Sequence, residues 1–150
     1  MSDPPVLRQA GPLAQTFKYT GLHFGIQKTF FMNTTQINPE KVFQHHLEAL
    51  GKNDMDELMK DYAEQSQLWT PDGAIVGLEA ISSFYSYAFT LFPKGKTELE
   101  IKKMIVKDNK VYIIWTADSP VVNVSFATDS FEINEGKILW QSTAFQMAQK

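Results

Sequence analysis

The chain has 150 residues, 43% of them apolar and 21% charged, the proportions of a single globular domain with a real core, so wholesale disorder is excluded. Fourteen basic against 17 acidic side chains give a net charge of −3, which argues against a nucleic-acid partner. There is no cysteine, which rules out disulfides, zinc–thiolate sites, iron–sulfur clusters and thiol nucleophiles.

Residues 1–36 read as an extension, flexible or loosely docked on the domain formed by 37–150. Prolines 4, 5 and 12 and glycines 11, 21 and 25 interrupt any sustained period. Phe17–Tyr19 and Thr29–Met32 are short apolar runs that could pair as strands or lie on the body, and Met32 could itself be the natural start. Met1–Ala10 lacks a basic start followed by an apolar stretch, so it does not read as a secretory signal. No apolar run reaches the ~18 residues of a membrane span. The expectation is a cytoplasmic protein with no membrane partner.

Asn38-Pro39-Glu40 opens a helix, with a capping side chain, a proline at the first helical position and an acid in the first turn. Phe43, His46, Leu47 and Leu50 recur on one helical face, and Gly51 ends it. A second helix follows, capped by Asn53 or Asp54, with Met55, Leu58, Met59 and Tyr62 on its inner face. Gln67–Thr70 is a short strand and Pro71-Asp72-Gly73 a turn. A third helix starts near Leu78, buries Ile81, Phe84, Tyr85, Ala88 and Phe92, and stops at Pro93.

The remainder reads as strands. Glu98–Val106, Val111–Ala117, Val121–Ile133 and Lys137–Met147 are separated by turn sequences at 108–110, 118–120 and 134–136, with a possible bulge at Lys102-Lys103. Long antiparallel strands after three helices argue an α+β fold in which a curved sheet packs the helices on its concave side.

Asp129 is the most informative residue. It alternates in phase with Phe131 and Ile133, which places it on the buried face of its strand. A carboxylate there is held protonated or hydrogen-bonded, and so either moves a proton for chemistry or bonds a neighbouring hydroxyl for structure. His46 borders the core, as a satisfied core histidine or as a pocket donor or base. His45 points away and should be solvated. Adjacent histidines are a poor metal motif, and no metal site is expected. Tyr62, Trp69, Tyr85 and Trp115 are amphipathic aromatics at inner positions, either core or the walls of a cavity for a flat, hydrophobic small molecule. Residues 37–150 contain no arginine, and no glycine-rich phosphate loop is present, so nucleotide chemistry is not expected.

The stretches His46–Asp54, Leu58–Glu64, Trp69–Gly73, Gly77–Ile81 and Thr128–Ile138 together resemble the SnoaL-like branch of the nuclear-transport-factor-2-like superfamily, over about residues 38–147. The resemblance implies a cone-shaped α+β barrel, its curved antiparallel sheet wrapped around three helices with a central pocket. It also implies a homodimer through the outer sheet faces. The superfamily includes ketosteroid isomerases. By position, Asp129 falls where that enzyme has its oxyanion-binding aspartic acid, His46 where it has its oxyanion tyrosine, and Thr70 where it has its proton-abstracting aspartate. Two of those three differ, and threonine is no general base at neutral pH. The missing arginine likewise excludes the Asp-Arg-Asp arrangement of related epoxide hydrolases. SnoaL-type cyclases, which use an aspartate on a late strand, are the closer parallel. The resemblance thus implies a cofactor-independent isomerase, cyclase or dehydratase with Asp129 and His46 as catalytic groups, and Tyr62, Trp69, Thr70, Tyr85 and Trp115 around the substrate. A non-catalytic ligand-binding or dimerisation module of the same fold is the alternative.

Overall fold

Asn38 opens the first helix as its sequence requires: its side chain accepts the amide proton of Glu40 at 3.0 Å, with Pro39 next. The computed structural model describes residues 17–19 and 38–150. This helix, α1 (Pro39–Lys52), runs through Gly51. It ends instead at Asn53, whose left-handed φ of 49° turns its amide back onto the carbonyls of Ala49 and Leu50. Asp54 then caps α2 (Met55–Met59) by accepting from the Glu57 amide at 3.1 Å.

Tyr62, expected on the inner face of α2, begins a strand instead. The helix is only five residues long because the chain is captured by the C-terminal strand: the amide of Ile138 donates to Asp61 O at 2.7 Å and Tyr62 pairs with Ile138. Tertiary pairing here outweighs the helical spacing of the sequence. The strand β2 (Tyr62–Thr70) folds back through a tight turn into β3 (Gly73–Val76), and α3 (Leu78–Leu91) follows. Phe92, held out of helical geometry before Pro93, ends α3 as expected.

Four long strands complete the domain: β4 (Glu98–Lys107), β5 (Lys110–Asp118), β6 (Val122–Asn134) and β7 (Lys137–Gln149). They form an antiparallel meander, and β2 joins β7 in parallel. With β3 beside β2, these six strands form the body of the sheet. β1 (Phe17–Tyr19) adds a seventh at its edge, parallel to Leu99–Ile101. The fold is α+β, with one sheet against three helices, but the sheet is open, running from β1 to β3 without closing into a barrel, and it is mixed rather than wholly antiparallel. Apart from 17–19, the expected N-terminal extension of residues 1–36 lies outside the described residues.

Interruptions of the ladder bend the strands. One falls between Ile101 and Lys103, where the lysine pair suggested it; others fall in β5, in β6 and opposite Glu132 in β7. Helices and sheet share one core containing Phe43, Leu47, Leu58, Ile81, Phe131 and Ile138. Phe43 is fully buried against Phe131, ring centroids 5.1 Å apart, so truncating it to alanine would cost about 3–5 kcal/mol. Among the described residues no helix is long and apolar enough to cross a membrane.

Candidate functional site

A cavity of about 190 Å³ opens between the helices and the inner face of the sheet. Its walls are mainly apolar and aromatic, with Leu50, Phe84, Phe89, Phe92, Ile113 and Phe145 among them. His46, Tyr85, Trp115, Asp129, Gln141 and Thr143 place polar atoms within those walls.

Strand alternation puts Asp129 here. Ala127, Phe131 and Ile133 are buried beside it on β6, and Asp129 itself is 8% exposed. Across the ladder it faces Ile113 on β5 and Thr143 on β7. Trp115 and Gln141 stand two residues further along those strands, so they share its face. Three donors converge on the carboxylate. Oδ1 accepts from Trp115 Nε1 at 2.9 Å and from Thr143 Oγ1 at 2.8 Å, while Oδ2 accepts from Gln141 Nε2 at 3.0 Å. Burial pushes the Asp129 carboxyl above the usual carboxylate range, and the three hydrogen bonds pull it part of the way back.

Behind Gln141 lies a tyrosine pair. Its Oε1 faces the hydroxyl of Tyr85 at 3.1 Å and accepts a short bond from that of Tyr62, and the two hydroxyls are 2.8 Å apart. Two hydroxyl protons therefore serve three contacts. When Tyr85 turns its proton toward a ligand, the Tyr62 proton is the one left for Gln141 and Tyr85 to share. Burial raises both phenols above the ordinary tyrosine range, keeping them neutral donors.

His46 is 1% exposed and is enclosed edge-on by the rings of Tyr62, Tyr85 and Phe131 at centroid distances of 5.6–5.9 Å. Neither ring nitrogen has a hydrogen-bond partner. Burial, with a smaller contribution from His45, lowers its pKa to about 3, so the ring is neutral at physiological pH. His45 is not simply solvated. Nδ1 lies 2.7 Å from Asp61 Oδ1 and Nε2 3.2 Å from Glu57 Oε2, an arrangement that favours a proton on both ring nitrogens. Burial alone would lower its pKa, but Asp61 and Glu57 outweigh that and raise it.

Of the seven residues singled out from the sequence, Asp129, His46, Tyr85 and Trp115 line one cavity, and Tyr62 sits directly behind it. Trp69 and Thr70 are elsewhere. Trp69 is 48% exposed on the outer sheet face, packed edge-on against Trp140 at 5.6 Å. Thr70 Oγ1 donates to Gly73 O and accepts from the Asp72 amide, each at 3.2 Å, as part of the β2–β3 turn. Gln141, Thr143 and Asp61 were not anticipated. Alternation from Gln141 and Thr143 toward Asp129 was the available signal, but it needs the register of β7.

No curated protein matches the chain. Solved structures share its fold. A proposed polyketide cyclase from Sinorhizobium meliloti is 20% identical, aligned over 69% of this chain and 94% of that one, with a TM-score of 0.60. A proposed ketosteroid isomerase from Kribbella flavida is 12% identical over 78% and 84% of the two chains, with a TM-score of 0.62. An NTF2-like protein of unknown function from Cytophaga hutchinsonii is 18% identical over 77% and 95%, with a TM-score of 0.61. At these identities the likeness is one of fold. The sequence itself matches the family model described as SnoaL-like domain over residues 43–140, from within α1 to the early part of β7 and through the segment carrying Asp129, and the chain belongs to that family.

Proposed function

We propose that this protein is a cofactor-independent isomerase, cyclase or dehydratase that moves a proton beside the carbonyl of a hydrophobic small molecule. The observation that carries the reading is the convergence of Asp129 and an unpartnered, neutral His46 on one largely apolar cavity. All three side chains bonded to Asp129 donate to it, which suits the ionised form, while burial raises its basicity. Oδ2 takes one of those donors and keeps a lone pair for a carbon acid. Asp129 is then the base, Tyr85 the donor to the developing enolate oxygen, and His46 the group that exchanges the proton. Trp115 and the phenylalanines hold the flat apolar body of the substrate.

The reading extends to a homodimer working in the cytoplasm. Trp69, Val76, Ile105 and Phe126 are exposed on the sheet face turned away from the helices, and burying them against a second copy would remove that apolar surface from water. A second reading, a non-catalytic binding module, draws on the same three donors, which would serve equally to anchor a structural carboxylate.

The test is deuterium incorporation from D₂O into 2-tetralone, a bicyclic apolar ketone, followed by NMR. Catalysed exchange that falls by roughly 10² to 10⁴-fold in Asp129→Asn supports the enzyme. Tight ketone binding with no accelerated exchange in the wild type would leave the binding module.

A further inference from the structure

The His45–Asp61 pair lies outside the set of groups just assigned chemistry, yet it reaches the back of His46. Asp61 follows α2 and is held by its backbone on both sides: its amide donates to Leu58 O at 3.2 Å, and its carbonyl accepts from Ile138 at 2.7 Å. One carboxylate oxygen, Oδ1, is taken by His45. The other, Oδ2, is buried without a hydrogen-bond partner and stands 3.8 Å from His46 Nδ1, which has none either. Two orphaned buried polar atoms facing each other are costly apart and complementary together.

We propose that Asp61 is a positioning residue for His46, holding the ring as the Nδ1–H tautomer with Nδ1 turned to the carboxylate and Nε2 left as a proton acceptor for a ligand in the cavity. The inference rests on the reading of the cavity as a proton-transfer site. A shift of about 1 Å brings the pair to hydrogen-bond length, the kind of tightening catalytic contacts undergo when a ligand binds. The rings of Tyr62, Tyr85 and Phe131 lie around His46, so Asp61 is the carboxylate placed to select a tautomer. The arrangement runs from the surface inward: the contacts of His45, with 40% of its side chain exposed, favour its protonated form, Asp61 stands between the two rings, and burial keeps His46 neutral. Glu57 and Lys60 complete the outer side of this cluster. The consequence for specificity is that the group a ligand presents to His46 is a hydroxyl proton donor, while its carbonyl oxygen faces Tyr85 and its enolisable C–H faces Asp129.

Long-range ¹H–¹⁵N NMR of the full chain with labelled histidine reads the tautomer directly and needs no substrate. The expected wild-type signature for His46 is a pyrrole-like Nδ1 with a pyridine-like Nε2, favoured roughly ten-fold or more, the ratio a hydrogen bond to a charged group carries. In Asp61→Asn that preference falls to within a few-fold of parity. An Nε2–H tautomer or an imidazolium in the wild type would overturn the proposal even if the variant did not fold, and so would an unchanged ratio in a folded variant. The two readings fail separately. A wrong tautomer leaves Asp129 as base untouched, whereas absent ketone exchange beside the expected tautomer removes the catalytic reading and keeps the positioning.

Discussion

Replacing His46 with phenylalanine should make the protein more resistant to acid, and the size of the effect follows from its burial. Folding lowers the pKa of His46 from 6.5 to about 3. The unfolded chain therefore binds a proton at this residue below pH 6.5 that the folded chain refuses until about pH 3. The sign is a loss of stability as pH falls through that window, at a rate approaching ~1.4 kcal/mol per pH unit. Between pH 6 and pH 4 the loss amounts to about 2–3 kcal/mol. Phenylalanine has no proton to gain and presents a ring of similar shape to Tyr62, Tyr85 and Phe131. Urea unfolding of both proteins at the two pH values gives the difference of differences. Asp129, whose raised carboxyl acts in the opposite sense by favouring the folded state as pH falls, contributes to both proteins and largely cancels, while Asp61, which faces His46, is raised further in the variant and adds to its acid resistance. The expected outcome is that the wild type loses about 2–3 kcal/mol more than the variant. Parallel pH dependences would mean that His46 is charged or solvated in the folded protein, and the neutral-acceptor role would fall with it.

Two further outcomes follow from the hydrogen-bond network. Asp129→Leu strands the buried donors of Thr143 and Gln141 and the half-buried donor of Trp115, and should lose roughly 3–5 kcal/mol in denaturant unfolding. Asp129→Asn keeps an acceptor for Trp115 and Thr143 and lets Gln141 flip its amide, so its loss should stay within about 2 kcal/mol; equal losses would show that the charge rather than the bonding pattern matters. Tyr85→Phe and Tyr62→Phe should each cost about 1 kcal/mol of stability, but Tyr85 lines the cavity and Tyr62 does not. Ketone exchange should therefore slow more in Tyr85→Phe, and the reverse order would contradict the assignment of the cavity donor.

The elements legible in the sequence are those governed by local chemistry. The Asn38 cap, the helix stop before Pro93 and the strand alternation that turns Asp129 inward need only near neighbours. The partners of Asp129 on β7 were not legible, because one bulge decides them. The turn after Asn134 pairs it with Lys137 and Ile133 with Ile138, and that register continued would set Asp129 opposite Ser142. Leu139 is instead skipped, so Glu132 pairs with Trp140 and Asp129 with Thr143. A single extra residue exchanges the faces of β7, bringing Gln141 and Thr143 to the cavity and sending Trp140 outward toward Trp69. Tyr62 was misplaced for a related reason: its spacing from Leu58 suits a helix, but pairing with Ile138 takes it into the sheet. The bond from His45 to Asp61 spans 16 residues and depends on where α2 stops, which no local signal marks.

A crystal structure with 2-naphthol bound, a flat phenol standing in for an enolised ketone, would settle whether Asp129 and His46 serve one ligand. The oxygen should lie within about 3.2 Å of the Tyr85 hydroxyl or His46 Nε2, with the adjacent ring carbon against Asp129 Oδ2 and the rings beside Trp115. A phenol held on the outer sheet face, or one whose oxygen lies among the phenylalanines far from all three polar groups, would contradict it.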